Sequence, residues 1–89
     1  MEMSKMVRVL VPLAEGFEEI EAISVIDILR RADIEVVTAG LTEGMAEGSH
    51  MVKVLPDTSL ERIDWQDFDA LVLPGGAPGF VNLGNDQRI

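Results

Sequence analysis

The sequence predicts an α/β fold built on a mostly parallel sheet, and three features carry that expectation. A β-branched run, a stretch free of Gly and Pro, and a second β-branched run follow one another between Met6 and Gly40, which is the length of one strand-helix-strand crossover. The run Ala70–Leu73 is apolar throughout, the pattern of a strand covered on both faces of a parallel sheet. Pro74, Gly75 and Gly76 end it abruptly, at the carboxyl end where such sheets carry their sites.

Each element has its own reason. Met6–Val11 is a buried first strand that Pro12 and Gly16 close in a turn. Phe17 to Ala32 is a helix: Glu18 and Glu19 stand in its first turn and Arg30 and Arg31 in its last, as the helix dipole prefers. Ile34–Ala39 is the second strand, parallel and adjacent to the first, and Gly40 closes it. Leu41–Met51 is rich in Gly and Glu and reads as a loop, and Met51–Leu55 as a short edge strand. Thr58 and Glu61 have the spacing of a capping box, so a short helix is expected from about Ser59, carrying Leu60 and Ile63 inward. Asp64–Asp67 leads out of it toward the apolar strand, and Asp86–Ile89 resembles the opening of a further helix. Gly48 to Met51 spell a string common in expression vectors, but the segment is internal and continues into strand-like sequence, so it is treated as native.

Composition narrows the function. The 89 residues, 47% hydrophobic and 26% charged, suit one small globular domain. Seven basic against sixteen acidic residues give a net charge of -9, which repels phosphate backbones and anionic lipid headgroups alike. Nucleic-acid and membrane roles are therefore not expected, and a cytoplasmic location is. The chain contains no cysteine and one histidine, so it offers no disulfide, no thiolate or two-histidine metal site and no nucleophile-histidine pair. Neither a metal nor a cofactor is expected.

Two features could carry chemistry. On a helical wheel Glu19, Asp27, Arg30 and Arg31 share a polar arc, whereas Glu21 falls on the apolar stripe with Phe17, Val25 and Ile28. A carboxylate so placed either loses hydration and moves toward the range useful for proton transfer, or sits at a wet edge and reaches water. Gly75 and Gly76 either present bare backbone N–H groups to a ligand or simply make a turn. His50 is a solvated loop residue or a ligand contact, and Glu18 is a second candidate for substrate contact. Trp65 and Phe68 lie among acidic residues and are expected to pack rather than to stack on bases. Ile20 and Ile23 interrupt the polar arc, and a second copy of the chain covering them would make a homodimer through the first helix.

Taken together these segments resemble the ThiJ/PfpI family, closest to its deglycase branch: Gly16 to Glu21 after the first strand, Leu29 to Ala32, Val36 to Gly40, Pro56 to Leu60, and Asp69 to Gly76, in that order. The resemblance implies a flavodoxin-like α/β/α sandwich and a dimer. It implies that Glu21 is the glutamate that hydrogen-bonds a reactive cysteine, and that Gly75 and Gly76 build the anion pocket facing it. His50 falls where that branch often has an arginine. In the family the cysteine and a later histidine lie beyond the Pro-Gly-Gly turn, and this sequence reaches Ile89 without either. The expectation is thus an incomplete, N-terminal half of a domain spanning residues 1–89. Its parent would attack small carbonyls such as methylglyoxal or their protein adducts through a thiol tuned by Glu21. The alternatives are a redox sensor or chaperone of the same family, or a binding fragment without chemistry of its own.

Overall fold

A computed structural model of the chain describes residues 7–75. The elements are β1 (Arg8–Leu13), α1 (Glu19–Arg31), β2 (Glu35–Gly40), β3 (Ala46–Glu47), β4 (Lys53–Val54), β5 (Thr58–Ser59), two 3-10 turns at Leu60–Arg62 and Trp65–Asp67, and β6 (Ala70–Leu71). Gly76, the start of the first strand at Met6 and the expected helix opening at Asp86–Ile89 lie outside the described residues.

Four strands form one sheet in the order β5-β2-β1-β6. Every neighbouring pair in it is parallel, with Val9 opposite Val36 on one side of β1 and opposite Ala70 on the other. The expected crossover is present: β1 and β2 are adjacent and α1 joins them. The fold class is therefore α/β with a parallel, flavodoxin-like sheet.

Alternation along β1 divides the core. Val9, Val11 and Leu13 pack with Phe17, Ala22 and Ile26 under α1, while Leu10 faces the other way with Ala39 and Leu60. Ile63 and Phe68 extend that second layer. Over β1 and β2 both faces of the sheet are thus covered, one by the helix and the other by the irregular segment after β5. Arg8 ties that segment down, its guanidinium 5.0 Å from the Phe68 ring centroid and its Nε 3.0 Å from Glu35. Ala70 and Leu71 of β6, expected to be covered on both faces, are instead exposed because β6 is an edge strand of the described sheet.

Several boundaries differ from expectation for identifiable reasons. β1 continues through Pro12, which pairs with Ala39, to Leu13, instead of ending at Val11. α1 begins at Glu19, not Phe17, because Glu18 is the N-cap and its carboxylate accepts the Ile20 N–H at 2.7 Å. The helix stops in a Schellman motif without glycine: Asp33 takes a φ of 61°, its N–H bonds Arg30, and the Ile34 N–H bonds Leu29. The capping box at Thr58 and Glu61 does not form. Thr58–Ser59 is drawn into the sheet edge as β5, and only a 3-10 turn without a side-chain cap follows. The expected loop at Leu41–Met51 contains β3, and β4 pairs with it antiparallel as a separate two-stranded sheet. Trp65, expected to pack, is 39% exposed, and Phe68 is half-buried.

Candidate active site

In an open parallel sheet the strand order reverses at one point, and the crevice beyond the carboxyl ends of the strands there is the natural place for a ligand. Here the reversal lies between β1 and β6, since β2 follows on one side of β1 and β6 on the other. The loop from Ala14 to Glu18 leaves β1 at that point and feeds the N-terminus of α1, and the end of β6 runs through Leu73 and Pro74 to Gly75. The Glu18 N–H donates to the Gly75 carbonyl at 3.0 Å and locks the two segments together.

Glu21 and Gly75 meet in this corner. A Cβ built on Gly75 would run into the Glu21 Oε1 and lie 3.1 Å from its Cδ, so the carboxylate occupies the space that a side chain would need. Gly75 does not have a positive φ, and the demand for glycine there is spatial. The Glu21 carboxylate has no hydrogen bond or ion pair among the described residues. Of the two readings of Glu21 the wet edge holds: Glu21 is exposed, at the rim of an open cleft walled by Val25, Ile28, Val72 and Leu73. Ile28 at 62% and Leu73 at 48% exposure leave that cleft apolar and accessible.

Glu18 and His50 come together on the other side of the helix start, away from Glu21. Glu19, placed by the wheel on the polar arc, is buried there at 8% exposure. A wheel drawn for an isolated helix cannot show why: the β3-β4 hairpin packs on that side and aims donors at it. Glu19 Oε2 accepts the N–H groups of His50 at 2.7 Å and Val52 at 3.2 Å, while Oε1 lies 3.4 Å from the Ser49 hydroxyl and 3.2 Å from His50 Nδ1. Burial by itself would raise the Glu19 carboxyl. The N–H groups of Glu19 itself, Val52 and His50, with the His50 ring, outweigh it and lower the pKa from 4.5 to about 2. Gly48 is required for the fit, since a Cβ there would collide with the same carboxylate. Met51 completes the tight turn with a φ of 68°, and its N–H bonds the Gly48 carbonyl at 3.1 Å.

The Glu19 clasp gives an acid-linked expectation. A carboxyl whose folded pKa lies below its unfolded value stabilises the fold above the unfolded value, and that contribution fades as pH falls toward the folded one. The 48–52 turn should therefore loosen from the helix as pH drops from 4.5 toward about 2, followed by amide exchange at His50 and Val52. Glu19→Gln should weaken protection of these amides at neutral pH and abolish its change across the window.

Carboxylate and imidazole atoms of Glu18, Glu19 and His50 lie within 4.8 Å of one another, a grouping that could hold a cation. The Ile20 N–H already occupies Glu18, and three donors and the His50 ring surround Glu19. Elsewhere, Ile20 is 75% and Ile23 42% exposed, and no helix among the described residues is long and apolar enough to cross a membrane.

The chain is similar to proteins of one family. The sequence model of the DJ-1/PfpI family matches residues 7–89. The chain is 47% identical over 81 residues to protein dj-1beta of Drosophila melanogaster, covering 90% of this chain and 43% of that protein. It is 38% identical over 83 residues to a deglycase of Thermococcus kodakarensis, covering 92% of this chain and 49% of the relative. The crystal structure of Drosophila melanogaster DJ-1beta superposes with a TM-score of 0.87 at 44% identity, over 92% of this chain and 45% of that one. The chain thus spans a little under half the length of these relatives.

Proposed function

The chain belongs to the DJ-1/PfpI family, and from that premise we propose that it supplies the acid half of a cysteine-dependent site acting on reactive carbonyls, in the manner of a glyoxalase or deglycase. In this reading Glu21 holds or returns the proton of a thiol contributed by sequence outside the chain. The backbone at Gly75 and Gly76 receives the oxyanion that forms when the thiolate adds to the carbonyl carbon. Glu18 and His50, on the other side of the helix start, contact the part of the substrate that extends away from Glu21. The protein is a homodimer that contacts its partner through α1, at Ile20 and Ile23.

The observation that supports the reading is a carboxylate with no hydrogen bond or ion pair among the described residues, set against a glycine at the point where the strand order reverses. An exposed acid in such a corner is accessible to an incoming thiol. That a similar protein is a deglycase supports the substrate class.

The test uses the full-length protein that contains this chain. Methylglyoxal consumption should be measurable, and Glu21→Gln should lower kcat/KM by roughly tenfold, the effect of about one unit in the thiol pKa. Absence of turnover, with the thiol instead converted reversibly to a sulfenic acid by mild peroxide, would replace the catalytic reading with a redox sensor.

A further inference from the structure

The buried Glu19 has no part in the thiol chemistry, yet it is the most completely bonded acid of the site. An ionised carboxylate only accepts hydrogen bonds. Two of its contacts are fixed backbone donors, from His50 and Val52. The third and fourth are the Ser49 hydroxyl at 3.4 Å and His50 Nδ1 at 3.2 Å, both toward Oε1. The same Nδ1 lies 3.1 Å from the Ser49 hydroxyl. The imidazole therefore has its Nδ1 edge turned inward to an acceptor-only group, while its side chain as a whole is 77% exposed. The turn that carries it has little freedom: Gly48 abuts the Glu19 carboxylate and Met51 is held at a positive φ.

We propose that Glu19 is a positioning residue that fixes His50 as its Nδ1–H tautomer, leaving Nε2 as an outward-facing proton acceptor beside Glu18. Such a carboxylate-imidazole pair orients the ring and stabilises the imidazolium that forms when Nε2 takes a proton. The proton comes from an ammonium group of a ligand at the helix start, which is left as the neutral amine, and no bond other than that to hydrogen changes. Glu18, within 4.8 Å of the ring and of Glu19, favours ligands that bring hydrogen-bond donors or positive charge. The inference rests on the reading of His50 as a ligand-facing residue. Ring tautomer is measured without turnover, so either can fail while the other stands.

Nitrogen-15 NMR of the imidazole decides it, in the full-length protein at about pH 9, where a histidine ring is neutral, with the signal assigned through His50→Gln. The wild type should show a protonated Nδ1 and an unprotonated Nε2, the reverse of the tautomer that free histidine favours. Ser49→Ala should leave this unchanged, because the hydroxyl is not what holds the proton. Glu19→Ala should return the ring to the Nε2–H form. If the wild type shows Nε2–H, the Ser49 hydroxyl donates to Nδ1 and the proposal is overturned. Loss of the Nδ1–H tautomer in Ser49→Ala would overturn it equally. Should Glu19→Ala fail to fold, the wild type and Ser49→Ala still decide.

Discussion

Gly75→Val in the full-length protein is expected to lower kcat/KM by roughly tenfold, as Glu21→Gln does, while leaving the fold in place, because it displaces the same carboxylate from the site. The reason is local. The first carbon added at Gly75 enters the space of Glu21 Oε1, and the branched methyl groups of valine require still more. Glu21 is exposed and can swing toward water, so the collision is relieved by moving the acid and not by distorting the sheet. Gly75 lacks a positive φ, so the substitution brings no left-handed strain of its own. Gly75→Ala should show a smaller loss in the same direction. Thermal unfolding of both variants close to that of the wild type, beside the fall in kcat/KM, is the expected pair of results.

The largest effect on stability is expected at Phe17. Its ring is 1% exposed and packs with Val11, Leu13 and Ala22 under the start of α1, and its carbonyl accepts the Ser49 N–H at 2.8 Å. Phe17→Ala removes the ring from a site where helix and sheet hold the walls apart. The cost is about 3–5 kcal/mol, a large share of the roughly 5–15 kcal/mol by which most domains are stable. Phe17→Leu refills most of the volume and should cost about 1 kcal/mol. Urea unfolding read at Trp65, the only tryptophan, measures both. Because Phe17 lies between the Glu18 cap and the β3-β4 turn, the alanine variant should also lose amide protection at His50.

Those two positions mark how far the sequence could be read. Phe17 was placed on the apolar stripe of a helix that begins two residues later, at Glu19. It is a core residue because the loop before the helix turns its ring under the sheet, whereas Glu21 and Ile28 on the same stripe are exposed. The pairing of β1 with β2 and the carboxyl-end location of Gly75 were legible, because short crossovers join parallel neighbours and parallel sheets present sites at one end. Glu21 beside Gly75 was foreseeable only through the family resemblance, because they are 54 positions apart and no periodicity spans that gap.

What could not be read depended on contacts between segments. Glu19 was assigned to water because every cue within the helix sent it there, and only the hairpin that packs on it makes burial favourable. Gly48 was the one available signal, a glycine where the turn must approach a carboxylate closely. β5 was lost to a capping box. The Thr38 N–H and hydroxyl clasp Asp57, its carboxylate at 2.9 Å and its N–H at 2.9 Å, and Arg30 joins that carboxylate at 3.1 Å, so the segment is drawn onto β2 before a helix can start. The N-cap at Glu18 was missed because glutamate is not among the favoured capping residues.

Glu21, exposed at Gly75 and without a hydrogen bond or ion pair among the described residues, is proposed to meet a sulfur atom there. The most direct measurement is the thiol pKa of the full-length protein, followed by the thiolate absorbance, in the wild type and in Glu21→Gln. A clear difference between the two, with the Glu21 carboxylate within hydrogen-bond reach of the sulfur in the crystal, is the expected result. Identical thiol titrations in the two proteins would contradict it.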